Sequence, residues 1–540
     1  MRTTVGLLAS MVTAVLLASV VVLLTAIGSV RAVAAAERPN ILFVMTDDQP
    51  IKDTMGAMPE VRGRVRDMGM TLPNSYVSES LCCPSRASVL RGQYPHNTGV
   101  VTNGGLPTFR ARGEESNTVA QWLGRQGYSR ALVGKYMNGY NASYVPPGWS
   151  YWYAKADAST SGQKVNDNGR VIDYAGNPGN WGDRFKASAM GYLDRKTDQA
   201  SDSPFALFFW TGQPHLRAGD YADRYANMYS NATLNPKPSF DEGDVSDKPA
   251  WVRNLGRISD QERSQITQWH RNQLRSVRQV DDTVGAMLDL LRKRGELDNT
   301  YVVFTTDNNT HMGEHRWFGE HGAKSTAYEE AANVPMFVRG PGIRAGSTSG
   351  RLVLNNDLAP TFAQIAGGTA PPFVDGRSVL PVWKGSATTW RTAVMNERPV
   401  KDGNPVPPYH AAITPRYTYV EYGTSGEKEL YDRNNDPYEL RSRHRDAAYA
   451  DTMTALSDRL SVSSPHLEGC AAAGCQAAEN PARDTFASRF LKPCQCAAPR
   501  SHPSKRQTSP RGQARTQVPR PARTQARPIL KQSLATLLEK

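Results

Sequence analysis

Two apolar runs organise the first three hundred residues. "ILFVMT" (41–46) gives way abruptly to Asp47 and Asp48, and "YVVFTT" (301–306) gives way in the same manner to Asp307 and Asn308. Neither run alternates apolar with polar positions, which is the pattern of strands covered on both faces by helices. Between them, helical periodicity predicts helices over 116–127 ("SNTVAQWLGRQG") and 273–295 ("QLRSVRQVDDTVGAMLDLLRKRG"), the second stopping at Gly295. Strand and helix signals in alternation predict an α/β domain, and in such sheets ligands collect at the carboxyl ends of the strands. Both acidic pairs fall there.

The pattern changes after "DGRSVLPVW". A Pro-rich stretch over 396–409 marks a boundary, and "HAAIT", "YTYVEYG" and "KELYD" beyond it read as short antiparallel strands. "DAAYADTMTALSDRLS" (446–461) reads as a helix, completing a small C-terminal α+β subdomain. The expected layout is an export segment over 1–36, a large α/β domain over 37–395, the subdomain over 396–465, and a tail over 466–540.

With 39% hydrophobic and 21% charged residues among 540, the chain is globular in composition. Its formal charge of +13 comes largely from residues 497–540, where ten Lys/Arg face a single acid, Glu539, among six prolines and no aromatic residue. Such a segment buries too little apolar surface to offset its ordering entropy, and no specific nucleic-acid partner is expected of it. At the other end, no charge falls between Arg2 and Arg31, and small residues precede Glu37. That pattern predicts a secreted, extracytoplasmic protein with a cleaved signal; an uncleaved anchor is the alternative. Outside the cytoplasm cysteines oxidise, and among Cys470, Cys475, Cys494 and Cys496 the bridge Cys470–Cys475 is the simplest pairing.

Asp47, Asp48, Asp307 and Asn308 offer oxygen donors only, which suits a hard cation such as Ca²⁺ or Mg²⁺. A single Asp at a strand end is ordinarily a turn or cap residue. Two such pairs at one rim repel unless a cation neutralises them. Cys82 and Cys83 stand adjacent in "SLCCPSRASVLRG", a spacing that forces poor disulfide geometry, so another use is expected for at least one of them.

With these residues the chain resembles the type I sulfatases. Cys82-Cys83-Pro84-Ser85-Arg86, followed by Leu90 and Gly92, matches their signature C-x-P-S-R-x-x-x-L-x-G-R, with Gln93 in place of the last Arg. "TDDQ", "GKYMNGY", "GQPH" and "GAKSTAYEEAANVPMFVRGPG" match in order, and the resemblance covers roughly residues 38–460. "GKYMNGY" and "PPGWSYWYA" are most similar to the N-acetylglucosamine-6-sulfatases. The resemblance implies an alkaline-phosphatase-like α/β fold with a mixed, mostly parallel sheet flanked by helices.

It also implies that a formylglycine-generating enzyme oxidises Cys82 to Cα-formylglycine, with Cys83 filling the variable position. A hydrated aldehyde offers two hydroxyls on one carbon: one attacks sulfur, and the other lets the adduct collapse and release sulfate. One Ca²⁺ held by Asp47, Asp48, Asp307, Asn308 and residue 82 is implied, acting as Lewis acid. Arg86 would hold the formylglycine hydrate, Lys135 and Lys324 would clamp sulfate oxygens, and His215 would bind sulfate and, with Lys324, protonate the leaving oxygen. His311 and His315, near the second acidic pair, receive no role. The implied activity is hydrolysis of O-sulfate esters of sulfated amino sugars, other glycans or aryl alcohols. The alternatives are a phosphate mono- or diester hydrolase of the same superfamily and a non-catalytic glycan-binding descendant. Two departures bear on the site. Met137 stands where many sulfatases have a histidine two residues after the "GK" lysine, and Asn309 replaces a glycine of the metal loop, where a left-handed backbone would favour glycine or asparagine.

Overall fold

The computed structural model describes residues 38–463 apart from 158–162, 176–178, 199–202, 216–218, 320–322 and 400–401. The expected export segment, the four late cysteines and the basic tail therefore lie outside the described residues. The strands, in chain order, are β1 (Asn40–Thr46), β2 (Met70–Leu72), β3 (Ser75–Tyr76), β4 (Ser129–Lys135), β5 (Tyr151–Lys155), β6 (Lys164–Asp167), β7 (Arg170–Asp173) and β8 (Phe205–Trp210). They continue with β9 (Thr300–Thr306), β10 (Met336–Arg339), β11 (Ser347–Thr348), β12 (Val353–Leu354), β13 (Val394–Arg398), β14 (Tyr409–Ile413), β15 (Tyr417–Tyr422) and β16 (Lys428–Asp432).

Ten of them form one sheet in the order β11-β2-β10-β9-β1-β8-β4-β5-β6-β7. Its centre, β9-β1-β8-β4-β5, is parallel, and antiparallel strands flank it on both sides. Alternate residues of each central strand enter opposite cores. Ile41, Phe43 and Met45 pack with Phe208, Trp210, Tyr301 and Val303. Leu42 and Val44 pack with Leu207, Phe209, Val302 and Phe304. Both faces are dry, which is why the runs show no polar alternation. The helices Cys82–Arg91, Val119–Arg125 and Leu358–Ile365 cover the first face, and Trp181–Lys196 and Asp260–Lys293 the second.

The longest helix begins at Asp260 instead of Gln273. Residues 260–272 bury only Ile266, Trp269 and His270, so their pattern is too polar to read as a packed helix. The start signal is present in the sequence all the same. The Ser259 backbone N–H donates to Glu262 Oε2 at 2.8 Å, and the Glu262 N–H donates back to Ser259 Oγ at 3.3 Å, closing a capping box.

Register fixes which residues reach the carboxyl rim together. Thr46 pairs with Thr306, Met45 with Trp210, and Trp210 with Gly134, so β1, β9, β8 and β4 end at one level. Gly134 has φ +125°, and a Cβ there would lie 1.9 Å from the Trp210 carbonyl oxygen. Gly134→Ala is therefore expected to force β4 from β8 and lower stability by about 1–3 kcal/mol, measurable in urea unfolding.

Beyond the large sheet, β13-β14-β15-β16 form an antiparallel sheet in chain order. β13 was not expected from the sequence: it starts at Val394 and takes in the first residues of the Pro-rich stretch, so the small sheet reaches back across 395/396. Asp446 caps a single turn, Ala447–Tyr449, and the following helix runs Ala450–Ser463 instead of starting at 446. The small sheet is tied to the large domain through Glu397 N–H to the Ser78 carbonyl at 2.8 Å and Tyr328 O–H to Glu429 at 2.6 Å. Among the described residues no helix is long and apolar enough to cross a membrane.

Candidate active site

The rim that β1, β4, β8 and β9 share is where the sequence candidates converge. Asp47 and Asp48 follow β1 directly, Lys135 is the last residue of β4, His215 lies five residues beyond β8, and Asp307 and Asn308 follow β9. Cys82 is the first residue of the helix Cys82–Arg91. That helix ends at Gly92 with φ 68°, whose N–H bonds to the Ser88 carbonyl, a left-handed cap that glycine adopts without strain.

Cys82 is fully buried, with Sγ 3.5 Å from Asp47 Oδ1, 3.6 Å from Asp48 Oδ1 and 2.9 Å from Lys324 Nζ. Lys324 Nζ also donates to both oxygens of Asp48, at 2.6 and 2.7 Å. His215 Nε2 stands 3.4 Å from Asp48 Oδ2. Lys135 Nζ donates to Asp47 Oδ2. Ligand atoms of Asp47, Asp48, Cys82 and His215 all lie within 4.8 Å of one another. Arg86, one turn along the helix, donates Nε to Asp307 Oδ2 and Nη1 to the Lys135 carbonyl, both at 2.8 Å, and its guanidinium sits 5.6 Å from the Trp210 ring centre.

Burial would push the Asp47 and Asp48 carboxyls up, but Lys135 and Arg86 beside Asp47 and Lys324 and His215 beside Asp48 hold both below the usual range. Asp307 goes the other way, raised by burial and by Asp47 against the pull of Arg86. Cys82 is raised well above an ordinary thiol by burial and by Asp47 and Asp48. Each carboxylate near 4 Å opposes a thiolate by about 4 kcal/mol at an effective dielectric of 20, more than Lys324 alone offsets once desolvation is added. The encoded residue is therefore a neutral thiol, unsuited to attack an anionic ester. Cys83 faces away into the first core, its thiol pushed up to about 12 by burial, and its backbone N–H donates to Asn103 Oδ1 at 3.0 Å.

The donor set fits a hard divalent cation. Asn308 Oδ1 is buried without a hydrogen-bond partner while its Nδ2 donates to Asp48 Oδ1 at 2.6 Å. An amide oxygen left bare beside two ionised carboxylates is what an oxygen-seeking ion requires. Asp307 is committed differently: besides Arg86, its Oδ1 accepts the Asp48 N–H at 3.1 Å and its own neighbour's N–H at 2.8 Å, so it braces the loop as well as charging it.

One expectation changes in detail. The left-handed residue at this rim is Asp48, after β1, with φ 56°; Asn309, after β9, is not left-handed, and its side-chain amide bridges to the Asn333 carbonyl at 2.9 Å. The side chain of Asn309 is accommodated because the backbone there needs no glycine. Met137 is buried in the first core, so that position supplies no base. His311 and His315 sit in a separate buried cluster, His311 on Thr326 at 2.8 Å and His315 on Glu242 at 2.7 Å.

Sequence reasoning passed over the braces. Ser85 Oγ donates to the Asp307 carbonyl and accepts from Asn355 Nδ2 at 2.9 Å, tying the helix to the β9 loop. The Asp47 N–H donates to the Gln213 carbonyl at 3.0 Å, which locks the β1 and β8 loops together. Ser85 lay within the motif and was findable; Asn355 and Gln213 carry no local signal.

Comparison with known proteins agrees with this geometry. Residues 39–368 match the family model described as Sulfatase, and 313–465 match that of the N-sulphoglucosamine sulphohydrolase C-terminal region. The extracellular sulfatase SULF-1 homolog of Drosophila melanogaster is 33% identical over 362 residues, covering 65% of this chain and 32% of that protein. The N-acetylglucosamine-6-sulfatase of Capra hircus is 31% identical over 414 residues, covering 72% and 71%. The chain thus spans about a third of the insect relative and most of the mammalian one. A solved complex of a protein with its substrate D-glucosamine-2-N,6-O-disulfate superposes with TM-score 0.68 at 23% identity, covering 80% of this chain and 98% of that one.

Proposed function

The chain belongs to the sulfatase family, and we propose that it hydrolyses O-sulfate esters of sulfated amino sugars, with residue 82 as the nucleophile in its formylglycine form and one Ca²⁺ at the carboxylate rim. The observation that carries this is the environment of Cys82. A neutral thiol enclosed by Asp47, Asp48 and Lys324, with Lys135 and Arg86 close by, is a poor nucleophile in a well-made anion site. Conversion to an aldehyde hydrate would supply a hydroxyl nucleophile and a second hydroxyl for releasing the bound sulfate. Asp47, Asp48, Asp307, Asn308 and residue 82 would hold the Ca²⁺, which supplies Lewis acidity to that hydroxyl and to a sulfate oxygen.

The chain's own groups do the rest. Lys135, paired with Asp47, and Lys324, paired with Asp48, present ammonium groups beside residue 82 and would stabilise charge on the sulfate oxygens. Arg86, held by Asp307, keeps a fixed positive charge one turn along the helix from residue 82. His215 is the most exposed of the set, with 38% of its side chain accessible, which suits a group that meets the leaving alcohol and protonates it. The glucosamine reading rests on the mammalian N-acetylglucosamine-6-sulfatase relative, and the extracytoplasmic location on the uncharged N-terminal run together with the extracellular relative. The fold is shared with other ester hydrolases, so the phosphate alternative turns on residue 82.

Mass analysis of the peptide containing position 82, from protein made with a formylglycine-generating enzyme, is expected to show aldehyde in place of thiol. Turnover of an aryl sulfate and of glucosamine 6-sulfate should fall on chelation and return with Ca²⁺. An unaltered thiol in active protein, or preference for a phosphate ester, defeats this reading.

A further inference from the structure

One cation at the rim makes no hydrogen bond or ion pair among the described residues. Lys155 is the last residue of β5, and the register of the parallel β4–β5 pair sets it directly beside Lys135. Neighbouring strands lie about 4.8 Å apart, and paired residues of parallel strands project to the same face. Val133 and Tyr153, two residues earlier on each strand, both enter the second core, so Lys135 and Lys155 leave the rim on the same side. The Lys155 ammonium rests 4.8 Å from the centre of the Trp181 ring, at the start of the helix Trp181–Lys196. Among the described residues it makes no hydrogen bond or ion pair, whereas Lys135, Lys324 and Arg86 are each bonded to a carboxylate of the site. Asp220, the acid that acts on it most strongly, is occupied elsewhere: its carboxylate accepts from Asn180 Nδ2 at 3.1 Å and from the Trp181 N–H.

We propose that Lys155, backed by the Trp181 indole, is a second anion subsite beside the sulfate-binding lysine, selecting sulfated sugars that carry a further negative group. This rests on the sulfatase reading above and names the substrate class within it. The half-buried ammonium is destabilised by burial and by Lys135 and only partly supported by Asp220 and Asp157, so an anion on the substrate would complete its balance. An aromatic face holds such a cation in place without neutralising it. A neutral ring hydroxyl offers little to this arrangement; a sulfamate on the same sugar or a carboxylate on the adjoining one offers a full charge.

The test compares four substrates on the matured enzyme: an aryl sulfate, glucosamine 6-sulfate, glucosamine 2-N,6-O-disulfate, and a disaccharide joining glucosamine 6-sulfate to a uronate. The wild type is expected to favour at least one dianionic sugar over glucosamine 6-sulfate by roughly tenfold in kcat/KM, the scale of one contact to a charged group. Lys155→Met should erase that preference through KM and leave aryl sulfate and glucosamine 6-sulfate turnover unchanged, while Lys155→Arg retains it. Gain on the disulfate places the second anion on the same sugar, and gain on the uronate places it on the neighbour. No preference in the wild type, or an equal loss on all four in Lys155→Met, overturns the subsite while the sulfatase reading stands. Failure to cleave any sulfate ester removes both.

Discussion

Cys82→Ala is expected to remove measurable turnover of every sulfate ester while the protein remains folded. The side chain lost is small, and a change of that size in a buried site costs about 1 kcal/mol, within the ordinary range for point substitutions. The activity lost is the whole covalent route, because among the described residues no other nucleophilic side chain lies between Asp47, Asp48 and Lys324. The paired control is Cys83→Ala. Its thiol is directed into the first core and meets the Asn138 and Gly105 backbone instead of the side chains around residue 82, so this variant should keep near-normal kcat and lose about 1 kcal/mol of stability. Circular dichroism and thermal melting establish folding, and initial rates on an aryl sulfate give the activity. An active Cys82→Ala protein, or a folded and inactive Cys83→Ala protein, would contradict the assignment of the nucleophile.

Lys324→Met should be the next most damaging change. Its ammonium is bonded to both Asp48 oxygens and to Cys82 Sγ, so it sits where negative charge gathers as sulfate is transferred. Loss of one such preorganised donor costs on the order of 10²–10³ in kcat. Breaking a buried ion pair also costs about 3–5 kcal/mol of stability when the partner is left uncompensated. Added Ca²⁺ should return much of this loss, because Asp48 is a proposed ligand. The leaving group separates charge stabilisation from proton donation. Aryl alcohols depart with little protonation, so Lys324→Met should damage aryl and sugar sulfates alike. His215→Ala should spare the aryl sulfate and lose on the order of 10²–10⁴ on the sugar sulfate, as expected for a general acid. Equal losses for His215→Ala on both substrates would assign that histidine to sulfate binding alone.

How much of this was written in the sequence depends on whether the signal is local. β1 and β9 were legible because a strand dry on both faces leaves an unbroken apolar run, and the acids that end those runs marked the rim. The first half of the helix Asp260–Lys293 was not, since its periodicity is diluted by solvent-facing polar residues, although the Ser259–Glu262 capping box announced its start. β13 was hidden by the prolines that follow it. In the site, Lys135, Lys324 and His215 have no individual signature, so only the order of motifs in a resembling family pointed to them. Lys155 was invisible to either route, because its position depends on strand register against β4, a relation between segments that neither contains alone.

The placement of β1 has a consequence for how the protein is made. Its two neighbours, β8 and β9, come much later in the chain: Asn40 bonds to Phe205, 165 residues on, and Asp48 to Asp307, 259 residues on. At a synthesis rate of about 5–20 residues per second, the nascent β1 waits roughly 10–50 s on the ribosome before β9 can emerge to pair with it. An apolar strand with its β9 edge open that long is a template for association with other chains, so soluble yield should depend on chaperone supply during translation more than on the stability of the finished fold.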